Sequence, residues 1–444
     1  MKNIAVDFSN QIKKIKCLNA VNNGPAGSRA QMTGNFKSYK ELEIPYARLH
    51  DSAFYSGSYG GEFSVDVHRV FPNFDADEND PASYVFLPTD SYLLDIESVG
   101  TKIFYRLGAA IEHGYKYGTY PPKDFSKWAR ICEHIIRHYT EGWANGYKHD
   151  IEYWEIWNEF DLYMENGTNP CWQGTREEFY DFYCTVSKYL KEKFPHLKIG
   201  GPASSDGKND EVIGAFLEEV KKRGAALDFY SYHWYGVDIE KLRAFMRGVE
   251  EVLNKHGFGD VPVFLNEWNY NSDKAVYSAS ARASHKGASF IGAVMSAAQK
   301  EKVDMLMYYD ARPATTWNGV FGSYGEVHKP FYTFKAAKEL VKLGNEVKCE
   351  CDENLYAIAA SDGNDSALFL THYNDDDTAP NQKVKITFSG AKHGETLKAE
   401  IYLIDKEHDL ELVREDYFTS EKSSIILNAK NYDVFYVKFE NTEL

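Results

Sequence analysis

The chain has 444 residues, 50 of them basic and 66 acidic, for a formal charge of −16. That length exceeds one ordinary domain and accommodates a barrel of about 250 residues with a second unit beside it. The acidic balance, with no long basic run, repels a phosphate backbone and argues against a nucleic-acid partner. No apolar run approaches a membrane span, and the opening Met1-Lys2-Asn3-Ile4-Ala5-Val6-Asp7-Phe8 has neither the apolar core nor the cleavage site of a secretory leader. The expectation is a cytoplasmic protein without membrane contact.

From the N-terminus, residues 3–9 alternate in polarity like a strand. Short β-type runs then recur at 15–21, 46–49, 102–107, 153–156, 197–200, 229–232, 263–266 and 305–308. Helical periodicity fills the intervals at 125–142, 177–194, 212–223, 239–256 and 277–301 and follows the last run at 332–343. Eight strands with intervening helices predict a (β/α)8 TIM barrel over 10–343. The segment 57–88, rich in Gly, Pro, Asp and aromatics, is too long for a simple connection and predicts an active-site loop. Its run Asp75-Ala76-Asp77-Glu78-Asn79-Asp80 lacks the glycine and terminal glutamate of a calcium loop and reads as a solvated or sugar-facing stretch.

Beyond residue 344 the pattern changes to short alternating strands at 355–360, 366–373, 383–389, 397–404, 424–427 and 434–439. These predict a C-terminal β-sandwich domain, 344–444, joined by residues 1–9. Six cysteines, at 17, 132, 171, 184, 349 and 351, lack C-x-x-C spacing, so neither a zinc knuckle nor a disulfide framework is indicated. Aromatics make up 15% of the chain, and flat rings suit the C–H faces of sugars as well as a protein core.

Two segments carry the chemistry. Tyr153-Trp154-Glu155-Ile156-Trp157-Asn158-Glu159-Phe160-Asp161 and Val261-Pro262-Val263-Phe264-Leu265-Asn266-Glu267-Trp268-Asn269 each place a glutamate after an asparagine at the tip of an apolar strand. A carboxylate among indole rings is costly to keep ionised, so a chemical reason for it is expected. Cleavage of a glycosidic bond needs two: one acid to protonate the departing oxygen and one carboxylate to attack or activate water. Both glutamates fall at the C-terminal ends of strands four and seven, where barrel active sites lie.

In these segments the sequence resembles clan A glycoside hydrolases, and within them glycoside hydrolase family 39, the family of β-xylosidases and α-L-iduronidase. Asn22-Asn23-Gly24-Pro25, Arg48-Leu49-His50, Trp154-Glu155-Ile156-Trp157-Asn158-Glu159, Tyr232-His233-Trp234-Tyr235-Gly236 and Asn266-Glu267-Trp268 carry the likeness, in order. The resemblance implies that Glu159 is the general acid/base and Glu267 the nucleophile. It further implies that Asn158 bonds the hydroxyl beside the anomeric carbon, that Tyr235 touches the nucleophile, and that Arg48 and His233 hold the polar network. Trp157 and Phe160 flank Glu159 as candidate apolar walls. His50 reads equally as a satisfied strand-end histidine, Trp234, Trp268 and Trp317 as sugar platforms or core rings, and Glu152 and Glu155 as structural. Two departures bear on the sugar: Phe160 replaces the proline that commonly follows the acid/base, and Tyr308-Tyr309-Asp310-Ala311-Arg312-Pro313 replaces a tryptophan turn with paired glutamates.

The sequence therefore predicts a retaining exo-glycosidase acting on plant-type oligosaccharides or glycosides, first a β-xyloside, with an α-L-arabinofuranosidase or other glycosidase of the same clan as runner-up. No metal or organic cofactor is expected, since two carboxylates perform the double displacement. A carbohydrate-binding barrel without catalysis and a metal-dependent hydrolase are the rivals of another class. The oligomeric state, self-association included, is left open.

Overall fold

The computed structural model describes residues 1–50, 64–112, 116–313, 316–391, 396–419 and 423–442. Strand β1 (Lys2–Lys14) precedes eight barrel strands: β2 (Cys17–Asn22), β3 (Tyr46–Arg48), β4 (Lys102–Leu107), β5 (Tyr153–Ile156), β6 (Lys198–Ser204), β7 (Tyr230–Gly236), β8 (Val263–Tyr270) and β9 (Met305–Tyr308). Each pairs in parallel with the next and β9 returns to β2, closing a (β/α)8 barrel.

Side chains two apart on a strand share a face, and this parity builds the barrel interior. Phe104, Phe229, Phe264, Met305 and Met307 form an apolar cluster, with Tyr46 and Tyr153 packed against it. Two residues further along β3, β4, β5 and β7 stand Arg48, Arg106, Glu155 and Ser231, all fully buried. An aromatic plug thus gives way to a polar layer as the chain climbs toward the C-terminal face. The connecting helices bury their apolar stripes against the outside of the strands. In the helix Arg176–Lys193, for example, a capping box between Thr175 and Glu178 fixes the first turn.

The remaining strands are β10 (Asn345–Cys351), β11 (Leu355–Ser361), β12 (Ser366–His372), β13 (Gln382–Ser389), β14 (Thr396–Ile404), β15 (Asp409–Phe418), β16 (Ser423–Ala429) and β17 (Val434–Thr442). With β1 they make a nine-stranded, sandwich-like sheet in the order β15-β14-β17-β12-β11-β10-β1-β13-β16. Its two faces separate by parity: Leu368 and Leu370 of β12 enter the sheet's own core, while Ala367 and Phe369 join the barrel's core. The helix His285–Lys300 lies on that second face. A Cβ on its Gly292 would stand 2.4 Å from Thr371 Oγ1, so only glycine permits this approach.

Several expectations need correction. β1 runs to Lys14, pairing with β10 antiparallel and β13 parallel, five residues beyond the predicted strand. β10 and β15 were not expected; β15 is a charged edge strand exposed along most of its length, which suits an edge that must not pair further. The predicted helix 277–301 breaks at Ser284, whose hydroxyl caps His285–Lys300 by accepting from Lys286 N. Part of the expected loop 57–88 lies outside the described residues. In the described part, Pro88 opens a helix Leu87–Ser98, and Glu78 pairs with Arg130 and Lys127. Among the described residues no helix is long and apolar enough to cross a membrane.

Candidate active site

Glu159 and Glu267 meet at the C-terminal mouth of the barrel. The ends of β7 and β8 do not keep simple register: Tyr232 opposes Leu265 but His233 opposes Glu267, leaving Asn266 as an extra residue. Such a bulge re-aims side chains beside a site. It lets Asn266 reach back to Glu155 while Glu267 still points into the mouth. At the end of β5, Trp157 (φ 74°) and Glu159 (φ 48°) both adopt left-handed backbone, an uncommon cost for non-glycine residues that clusters at functional sites. Gly108 makes the turn possible, since a Cβ there would lie 3.0 Å from Trp157 Cα.

One guanidinium organises the polar layer. Arg48 Nε donates to Glu155 Oε2 (2.6 Å), Nη1 to Glu267 Oε1 (2.7 Å) and to Asn22 Oδ1 (3.1 Å), and Nη2 to Asn158 Oδ1 (2.8 Å). Glu155 is fixed in turn by the Ser231 hydroxyl (2.6 Å) and the Asn266 amide. The nucleophile candidate is also ringed by donors. His50 Nε2 lies 3.0 Å from Glu267 Oε1, the Tyr235 hydroxyl donates to Oε2 at 2.8 Å, and His233 Nδ1 stands 3.4 Å from the same oxygen. Burial alone would push this carboxyl up, but His233, His50 and Arg48 outweigh it and hold Glu267 well below the usual carboxylate range. Glu267 is therefore an ionised carboxylate near neutrality.

Glu159 is held more lightly. His233 Nδ1 lies 2.8 Å from its Oε1, and the Cys171 thiol donates to Oε2 across 3.8 Å. Burial, with the charges of Glu159 and Glu267 beside it, pushes the Cys171 thiol well up, so it is a neutral S–H donor. Asn158 Nδ2 is buried and has no hydrogen-bond partner among the described residues. A buried, unsatisfied amide is rare in a native fold and here invites a ligand oxygen.

A cavity of about 590 Å³ covers both carboxylates, with His50, Tyr235, Tyr309, Asn271 and Trp317 on one side and Ile111, Leu162 and Met164 on the other. A larger one, about 860 Å³, opens at the seam between barrel and sheet, where several charged residues pair with one another, as Arg243 with Glu240 and Lys13 with Glu346. The smaller cavity is thus the one with reactive groups.

Of the residues singled out from sequence, Arg48, His50, Asn158, Glu159, His233, Tyr235, Glu267 and Trp317 converge here. Trp234 and Trp268 do not. His233 and Tyr235 face inward, so Trp234 between them turns out toward Phe290; Trp268 is fully buried against Tyr308 and Phe290. Trp157 and Phe160 likewise pack away from the carboxylate, against Trp172 and Phe179 respectively. Trp317 is half-buried, with the Arg282 guanidinium 4.1 Å from its ring centroid. Glu155, read from the sequence as structural, joins the polar layer beneath the site, and Cys171 was missed. The parity of β5 carries a signal for Glu155, two residues past inward Tyr153; nothing in the sequence marks Cys171. Glu159, His233 and Glu267 also bring oxygen and nitrogen atoms within 4.8 Å of one another, the grouping a metal ion would need.

A closed parallel barrel with two facing glutamates at its C-terminal mouth defines the architecture of a glycoside-cleaving enzyme. The sequence matches Glycosyl hydrolases family 39 over residues 71–348, more than half its length, and the chain belongs to that family. It is 24% identical over 263 residues to a beta-xylosidase of Geobacillus stearothermophilus, an alignment covering 52% of this chain and 49% of that one, so the chain spans about half of that relative's length. Among solved structures it is similar to a glucosidase from Croceicoccus marinus (TM-score 0.79, 19% identity, covering 100% of this chain and 99% of that one). It is also similar to a monomeric beta-xylosidase from Caulobacter crescentus (TM-score 0.73, 17% identity, covering 100% of each chain).

Proposed function

We propose that the protein is a retaining exo-glycosidase that releases a terminal sugar, first a β-linked xylose, with Glu267 as nucleophile and Glu159 as acid/base. The observation that carries this reading is the close approach of the two carboxylates across one pocket, their nearest oxygens within 4.8 Å. Retaining enzymes hold their carboxyl groups about 5–5.5 Å apart, whereas inverting ones leave about 6.5–9.5 Å for a water.

In the first step a Glu267 oxygen bonds to the anomeric carbon as the bond from that carbon to the bridging oxygen breaks. The electron pair of that bond stays on the departing oxygen, which takes the proton of Glu159 and leaves as an alcohol. In the second, Glu159 accepts a proton from water, whose oxygen displaces Glu267 and restores both groups. In this reading Asn158 Nδ2 donates to the neighbouring sugar hydroxyl. The preference for xylose rests on the β-xylosidases among the similar proteins.

The test is Glu267→Ala. It should be nearly inactive on aryl β-xylosides, and azide should restore turnover with a product of inverted anomeric configuration. Unchanged activity overturns the assignment.

A further inference from the structure

The pocket has two unlike walls. Beside the nucleophile stand polar and aromatic groups, His50, Tyr235, Tyr309 and Trp317 among them; the described lining also includes three apolar residues, Ile111, Leu162 and Met164, of which Leu162 is tied to Glu159. Leu162 is pinned to the acid by its N–H, which donates to Glu159 O (3.1 Å), and Met164 by a tight turn with Thr168. Two carboxylates that neighbour these residues are engaged elsewhere, while Tyr163 and Glu165, which flank Met164, are exposed to solvent. Glu112, next to Ile111, accepts from the N–H groups of Tyr117, Gly118 and Thr119, while Asp161, next to Leu162, accepts from the Ser204 hydroxyl and from Ser205 N and Asp206 N. Met164 is nevertheless 42% exposed, an apolar side chain left at the mouth.

The leaving group departs on the side of the acid that protonates it. A second sugar there would bring hydroxyls to a wall whose described apolar side chains offer them no partner, and a polar group buried without one is costly. We infer that the leaving-group subsite is built for an apolar aglycone, an aryl or long-chain alkyl alcohol, rather than for another sugar. The inference rests on Glu159 being the acid of the proposed reaction.

Methyl and octyl β-D-xylosides test it, because their leaving alcohols are similarly basic and differ in apolar length. Xylobiose supplies the sugar leaving group. Wild-type kcat/KM should be about tenfold or more higher for octyl than for methyl, from the burial of several methylenes, and higher for octyl than for xylobiose. In Leu162→Asn/Met164→Ser the octyl-to-methyl ratio should fall to about threefold or less, with folding checked by circular dichroism. A flat wild-type series, or xylobiose as the best of the three, overturns the subsite while leaving the proposed reaction standing. Failure of azide to rescue Glu267→Ala on aryl glycosides that the wild type cleaves overturns the reaction instead.

Discussion

Arg48 joins Glu155 to Glu267, with Nε on the first carboxylate at 2.6 Å and Nη1 on the second at 2.7 Å. One buried cation thus serves two buried anions, and Glu155 sets how much of the guanidinium's charge reaches the nucleophile. Among the described residues His50, His233 and Tyr235 reach the same carboxylate, and His233 also holds Glu159. Glu155→Gln keeps the shape and removes one negative charge. Arg48 and the two histidines then hold Glu267 ionised more firmly, so the acid limb of kcat/KM should move to lower pH, by roughly one unit. A more stabilised carboxylate is a poorer nucleophile, and kcat should fall about tenfold with KM little changed. An unmoved acid limb would show that Glu155 only supports the fold.

Glu159→Gln leaves the pocket's shape and removes the transferable proton. Alkyl glycosides, whose leaving groups need protonation, should slow by about a hundredfold or more, whereas 2,4-dinitrophenyl glycosides should lose far less in the glycosylation step. Equal losses on both would remove Glu159 from the role of acid.

The Cys171 thiol is the sole described donor to Glu159 Oε2, and a weak one at 3.8 Å. Cys171→Ser offers a stronger hydroxyl bond to the ionised form, making Glu159 more reluctant to take back a proton and a less well-matched acid. Cys171→Ala removes the donor. The ratio of kcat/KM between alkyl and activated aryl glycosides should therefore change in the Ser variant by about threefold or more, and differ between Ser and Ala. Identical ratios in all three proteins would leave the thiol a packing group.

Asp433, 3% exposed on the turn before β17, is pushed up to about 7 by burial and by the charge of Asp405, against the Lys430 N–H that donates to it. A carboxyl raised in the folded state binds its proton more tightly there than when unfolded. Its penalty is absent below pH about 4 and grows until the folded group has ionised near 7. Asp433→Asn, which can still accept from Lys430 N–H, should raise Tm at pH 8 by several degrees and flatten the dependence between pH 4 and 7. No gain at pH 8 would show that Asp433 is stabilised by contacts its neutral analogue cannot replace.

The barrel was legible because its strands are marked twice, by short β-type runs and by the aromatic residues that recur on the inward face, as at Tyr46, Phe104, Tyr153 and Phe229. The two glutamates stood out because a carboxylate after an asparagine at a strand tip has few structural uses. What escaped was set by geometry that sequence spacing does not carry. Trp234 and Trp268 lie next to inward groups and so face outward, a consequence of parity that proximity to the motif concealed. Cys171 comes to Glu159 through the loop held by Asn169, whose Oδ1 accepts from Cys171 N at 2.8 Å. β15 escaped because its charges hide the alternation used to recognise strands.

The placement of β1 has a bearing on how the molecule is assembled. Ile4 pairs with Cys351 and also with Ile386, so β1 waits through the whole of the barrel for either neighbour. Contacts so distant in sequence close late and slowly. A shortened chain ending before β10 would retain all eight barrel strands and still carry a ribbon with both edges open, inviting strands from other molecules. Cutting the protein at its apparent joint is therefore a route to aggregation, and a workable catalytic fragment would have to begin after Lys14 as well as end before Asn345.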